Sequence, residues 1–321
     1  MSNKIVTKVL KIVGIIILSI VALFILFIGG MNIFKHFYYK DYYEVSTKVG
    51  KIAGLNHGFV PQGLTYYDNY NNGSGGFISA GYMADNSASR IYAVDDKTGE
   101  KTYFTMTSNN EPFFGHTGGL QYENGWFYLA NESDGLYKFK SSLLDQADSR
   151  GSIEIGSPIH MNNHTSFVFS DFNYLYVGEF NNDGKYSCTN SITYNGIKHN
   201  AIVCKYDIEG LSAPMAVYSI PNEIQGFCIK EDGTIILSRS YSVTSSNFFI
   251  YKPEDIIATG QEYDGAPVYF LGEPSLNITA PAMSEDLDLY NGKIITHFES
   301  ACNKYYFGKF FFANYIVGLD L

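Results

Sequence analysis

One tryptophan, three arginines and four cysteines are all that 321 residues contain of those three types. No basic run occurs after the N-terminal tail, and the net charge of −10 argues against nucleic acid or an anionic lipid surface as a partner. Three familiar catalytic or nucleotide-binding signatures are missing too: G-x-S-x-G, a Walker loop and H-E-x-x-H. NNDG at Asn181 lacks the alternating carboxylates and closing Glu of an EF-hand loop. Beyond Met31 no stretch keeps apolar residues at helical spacing for three turns, which excludes a helical domain.

One long hydrophobic run is present. Ile12 to Met31 is uncharged and almost wholly apolar, long enough to cross a hydrocarbon core of ~30 Å as a helix. Lys4, Lys8 and Lys11 precede it and no acidic residue does, so the positive-inside rule keeps the N-terminus cytoplasmic and places the chain beyond Met31 outside the cell. No A-x-A-like cleavage site comes after the run, which favours an uncleaved anchor over a signal peptide. The chain then divides into a cytoplasmic tail (1–11), a transmembrane signal-anchor helix (12–31), an aromatic stem (32–50) and an extracellular domain (51–321).

That domain reads as all-β. Tyr and Phe number 27 and 24, Gly 31, and short alternating runs are separated by Gly, Asn, Asp and Ser. Five segments repeat one pattern of strand, turn, strand ending in a polar cluster, and strand, beginning at PQGLTY, HTGGLQY, HTSFVF, IQGFCI and SEDLDLY. Aligning Leu64, Leu120, Phe167, Phe227 and Leu287 gives spacings of 56, 47, 60 and 60 residues, as antiparallel propeller blades with loop insertions would. A five-bladed β-propeller is expected. The alternative is six blades, with extra strands drawn from Ser141 to Asn162 or Ile256 to Thr279. Closure of the fifth unit could use the region after Glu44 or only the C-terminal YIVGLDL.

The phrases VPQGLTY, SRIYAVD, GHTGGL, HTSFVF with LYVGEF, IQGFCI with ILSRSYS, and APAMSEDL with FESACNKY resemble a family of secreted or membrane-anchored bacterial propellers of Gram-positive organisms. That family carries no established activity. More distantly, QGF-x(5)-DGTIILS is similar to blades of the SMP-30, gluconolactonase and strictosidine-synthase-like propellers. Their catalytic metal set, a Glu, an Asn and an Asp on particular blades, has no residue-by-residue counterpart here.

In a propeller the inner strands line the central channel, so residues at their starts collect at one mouth. These are Gln62, His116, His164, Gln225 and Glu285, and the second strands end in Glu132, Glu179, Arg239 and Glu299. Such linings are ordinary in a wet channel, and an Arg among carboxylates can simply neutralise them. A functional reading makes His116, His164 and Glu285, with Gln225 as a further candidate, ligands for one divalent cation, whether calcium, zinc or manganese. The four cysteines lie on the oxidising side, so Cys188–Cys204 is the expected disulfide, while Cys228 and Cys302 either form a second bridge or are buried thiols. Two functions are compatible with this pattern. One is a membrane-tethered propeller that binds a ligand or an envelope protein, peptide or glycan at the cell surface. The other is a metal-dependent hydrolase or lactonase-like enzyme with its site at the channel mouth.

Overall fold

The computed structural model describes residues 2–305 and 313–321. Met1 and residues 306–312 lie outside the described residues. The five repeat starts become five inner strands, Phe59–Tyr67, Gly119–Glu123, Phe167–Asp171, Ile224–Ile229 and Ser284–Tyr290. Each touches the next around a ring, and the last touches the first. The chain is a five-bladed β-propeller. The aligned residues Leu64, Leu120, Phe167, Phe227 and Leu287 are all fully buried, each contributing roughly 2 kcal/mol of apolar burial where the blades meet.

A five-membered ring has a narrow axis, and glycines at its inner strands permit the close approach. A Cβ on Gly63 would lie 2.7 Å from the Leu120 nitrogen, and one on Gly119 would lie 2.6 Å from the Val168 nitrogen. On Gly226 it would lie 3.0 Å from the Glu285 carbonyl oxygen. In each case the obstacle is the backbone of a neighbouring blade, which cannot swing aside. The Gly in QGL, GGL and QGF is therefore a packing requirement.

The intervals reserved for a sixth blade build edge strands instead. Ser152–Glu154 pairs parallel with Lys101–Ser108 on the outer edge of blade 1. Ala266–Leu271 pairs parallel with Ala216–Ile220 on the outer edge of blade 3, and Ile256–Tyr263 pairs with it in turn. Both excursions run back onto the preceding blade. Blade 2 keeps three strands. The polar insertion of blade 3 forms a hairpin, Ile192–Tyr194 with Ile197–His199.

Blade 5 closes the ring with both candidates for that role. Tyr315–Leu319 pairs with Lys293–Phe298, and Ser46–Lys51 pairs with Tyr315–Leu319 as the outermost strand. Residues 46–50, assigned to the stem from sequence, thus belong to the sheet. One helix, Ser2–Tyr38, carries the apolar run and is long and apolar enough to cross a membrane, with its most apolar window wholly unburied. A short helix, Lys40–Val45, comes next. Here Tyr39 and Tyr42 are buried, the Tyr39 hydroxyl lies 3.0 Å from the Ser245 hydroxyl, and Tyr42 packs on Phe248 and Phe298. Tyr39 and Tyr42 therefore seat in the propeller, while Phe34, Phe37 and Tyr38 stay exposed.

The expected disulfide is absent. Cys188 and Cys204 are free thiols: Cys204 is in the strand Ala201–Asp207 with its side chain in the blade core, whereas Cys188 sits in a loop with its Sγ 3.1 Å from the Phe180 carbonyl oxygen. Cys228 is also a free thiol, fully buried among apolar residues of blade 4, so it is not bridged to Cys302.

Candidate functional site at the channel mouth

Below the mouth the axis is filled by side chains from blade 5. A register shift between Ser284 and Leu287 lets consecutive residues Glu285 and Asp286 both enter the interior. The Asp286 carboxylate accepts the backbone N–H of Leu64 (3.0 Å) and of Leu120 (2.8 Å), tying blade 5 to blades 1 and 2. Asp288 accepts from the Thr65 hydroxyl at 2.7 Å and the Tyr66 N–H at 2.9 Å. Burial raises both carboxyls, Asp288 to about 6, against the pull of their N–H donors. Gln121 completes the plug, donating to the Leu287 carbonyl oxygen at 3.3 Å. These residues hold the ring together.

Above them a polar cluster forms where blades 5 and 1 meet. Glu299, nearly buried, accepts from the Tyr82 hydroxyl at 2.9 Å. Tyr305 and Gln62 also hydrogen-bond to its carboxyl. The Tyr82 and Tyr305 hydroxyls are 3.1 Å apart, and the Lys304 ammonium donates to Tyr82 at 2.8 Å. Burial raises Glu299 to about 7, opposed by these hydrogen bonds and by the Lys304 charge. Glu285 is pushed up as well, by burial first and then by the negative charges of Glu299 and Asp286. His116 stands over Tyr82 with ring centroids 5.0 Å apart and planes at 28°. Its ring keeps solvent access at the rim, and the surrounding protein and Lys304 lower its pKa.

His297, on the second strand of blade 5, is fully buried beneath this cluster. Its Nε2 lies 3.0 Å from the Gln62 carbonyl oxygen, so Nε2 carries the proton, and Nδ1 has no partner. Burial lowers its pKa to about 4.

The sequence-derived set therefore separates. Gln62, Glu285, Glu299 and His116 come together at the blade 5 and blade 1 side of the mouth. His164 and Glu132 instead line a recess of about 320 Å³ between blades 2 and 3, with His160 and Asn190. Glu179 is buried and structural: it accepts from the backbone N–H groups of His164 and Ile202, both at 3.1 Å, and from Asn190 at 2.6 Å. Arg239 pairs with Glu223 at 2.5 Å in blade 4, which explains its isolation among serines. Gln225 is half-buried at the start of the same blade. Among the described residues no three His, Cys, Asp or Glu side chains converge so as to hold a metal ion. The proposed ligands are divided between the two regions, with His164 in the recess and His116 and Glu285 on the blade 5 and blade 1 side.

Sequence reasoning missed Tyr82, Lys304 and Tyr305. Tyr82 was the legible one, since it lies at the end of the second strand of blade 1, where the other blades offered charged residues. Lys304 and Tyr305 come after a short 3-10 turn that follows the second strand of blade 5 and have no counterpart in the repeat.

Comparison with solved structures finds propellers at low identity. The PQQ-bound aldose sugar dehydrogenase of Streptomyces coelicolor matches at 13% identity over 79% of this chain and 77% of its own, with a TM-score of 0.43. The glutaminyl cyclase of Myxococcus xanthus matches at 10% over 78% and 90%, with a TM-score of 0.42. BamB of Moraxella catarrhalis matches at 8% over 81% and 84%, with a TM-score of 0.34. No protein-family model matches the sequence, and no curated protein does.

Proposed function

We propose that this chain is a single-pass, outward-facing membrane protein whose propeller binds a neutral, polyhydroxylated envelope ligand, a glycan, at the channel mouth. The observation that carries this reading is the Tyr82, Glu299, Tyr305 and Lys304 network beside the Tyr82–His116 stack. A carboxyl with a pKa near 7 both donates and accepts hydrogen bonds at physiological pH. Two phenols and an ammonium extend that capacity, and the stacked rings offer a flat apolar face. Hydroxyl-rich ligands need this combination. The dispersed imidazoles favour binding through hydrogen bonds over metal-assisted hydrolysis. The lysines at 4, 8 and 11 support the orientation, with the tail at 1–11, the anchor at 12–31 and the propeller outside.

The test uses the full chain in phosphatidylcholine nanodiscs against a panel of envelope oligosaccharides, beside Tyr82→Phe and Glu299→Gln. Saturable binding that weakens about tenfold in each variant is expected, since each loses one hydrogen bond to a polar ligand. If no oligosaccharide binds, or both variants bind like the parent, the glycan reading fails and a protein or peptide partner takes its place. Protease added to intact cells should remove the propeller; protection until lysis would reverse the orientation.

A further inference from the structure

Between blades 5 and 1 lies an open cavity of about 990 Å³, lined by none of Tyr82, His116 and Glu299. Two of the three arginines in the chain, Arg90 and Arg150, line it with Lys51, Lys101 and His57. Among the described residues its lining includes no Asp or Glu. The ion pairs among the described residues, Lys40–Glu44, Arg239–Glu223 and Lys293–Asp320, involve none of these cations. In a protein of net charge −10, that concentration is contrary to the chain as a whole.

Arg90 shows how the cavity is built. Its guanidinium carbon sits 4.4 Å from the Tyr103 ring centroid, and Nη1 donates to the Tyr92 hydroxyl at 3.3 Å. Nε is buried and has no hydrogen-bond partner among the described residues. Its charge is thus oriented by two aromatic side chains and, among the described residues, enters no ion pair; it helps lower the pKa of Asp85, which Ser87 also holds. The backbone N–H of Arg150 donates to the Tyr103 carbonyl oxygen at 3.0 Å, which keeps the second arginine beside the first. Lys51 is the cross-strand partner of Tyr315, whose side chain also faces the cavity. Four separate stretches of chain supply the positive charge, so only the folded blade pair assembles it.

Guanidinium groups held by aromatic faces, with ammonium groups around them, recognise phosphoryl oxygens. The volume is at the upper end of small-molecule sites, ~300 to 1,000 Å³, and far exceeds one phosphate. We propose that this cavity binds a phosphate-bearing polyol, with the phosphate on Arg90 and Arg150 and the polyol against Tyr92 and Tyr103. Two sources share that chemistry, a soluble polyol phosphate and the headgroup of an anionic phospholipid. The second is in reach because only one short helix and one strand separate Lys51 from the membrane-length helix.

The experiment measures glycerol 3-phosphate binding to the full chain in phosphatidylcholine nanodiscs at low salt. In parallel, it measures capture of phosphatidylglycerol vesicles by the same nanodiscs. Arg90→Gln/Arg150→Gln is compared with Lys140→Gln/Lys198→Gln, which changes net charge equally away from the cavity. Should Arg90 prove necessary for folding, Lys101→Gln/Arg150→Gln removes two exposed cavity charges instead. Saturable glycerol 3-phosphate binding, weakened at least tenfold by the cavity variant and unaffected by the control, supports a soluble ligand. Vesicle capture alone, with the same variant pattern, supports the headgroup. Binding of neither probe, or equal loss in both variants, overturns the proposal.

Discussion

Asn131 and Glu179 occupy equivalent places in blades 2 and 3. Each accepts the backbone N–H of a histidine that stands 15 residues earlier: His116 bonds to Asn131 Oδ1 at 2.9 Å and His164 to Glu179 Oε1 at 3.1 Å. In these two blades the acceptor at the end of the second strand sets how the chain enters the blade. Glu132, paired with Glu179 from sequence alone, is one residue out of step and faces the recess instead.

From this, Glu179→Ala should lower unfolding free energy by about 3 kcal/mol, because it strands the N–H groups of His164 and Ile202 and the Asn190 amide. Glu179→Gln, which keeps acceptor capacity, should cost less than half as much. Denaturant unfolding of the two variants makes the comparison, and equal losses would show that charge, not hydrogen bonding, holds the position.

Stability should fall as pH rises from 6.5 to 8. Glu299 has a folded pKa of about 7 against an ordinary value of 4.5, so its contribution is complete below 4.5 and disappears as pH climbs through 7. His297, lowered from 6.5 to about 4, has the opposite sign: its contribution is present above 6.5 and is lost as pH falls through 4. The two offset each other at mildly acid pH, which leaves the carboxyls alone above 6.5. Glu299→Gln should remove about 1 kcal/mol of the decline between pH 6.5 and 8. An unchanged slope in that variant would count against an elevated Glu299.

His297 should be visible as a neutral imidazole protonated on Nε2 at pH 5.5 by nitrogen NMR, since Nε2 donates to the Gln62 carbonyl oxygen and burial disfavours the cation. An imidazolium signal at that pH would contradict the buried, singly bonded ring.

Gly119→Ala should destabilise by about 3 kcal/mol or more, or prevent folding, because the new methyl group meets the backbone of blade 3 on the ring axis. Gly125→Ala, at a turn with open space around it, should be milder, its cost coming only from a positive φ of 83°. Expression and thermal melts of the pair separate close packing from backbone strain.

Reductant should leave the melting temperature unchanged, since Cys188 and Cys204 are not bridged. Cys188 should alkylate slowly in the native protein at pH 8: burial, then the charges of Glu179 and Glu132, push its thiol up to about 12. Loss of stability on reduction would restore the disulfide expectation.

The apolar run, the five repeat starts and the buried residue in each were legible in the amino-acid sequence, because a membrane-length segment and a period-two strand are local patterns that no distant contact needs to complete. That Gln62 and Glu285 lie early in inner strands and Glu299 follows a second strand was legible too, because blade order fixes those positions. What the tertiary structure decided depends on direction and distance between remote segments. Whether Ser46–Lys51 or the C-terminus closes blade 5, whether His116 meets His164, and whether Cys188 reaches Cys204 are all set by how strands twist and seat around the ring. The cavity shows this most plainly. Net charge argues against an anionic ligand, yet Lys51, Arg90, Lys101 and Arg150, scattered over a hundred residues, face one space because the outer strand of blade 5 is laid against blade 1.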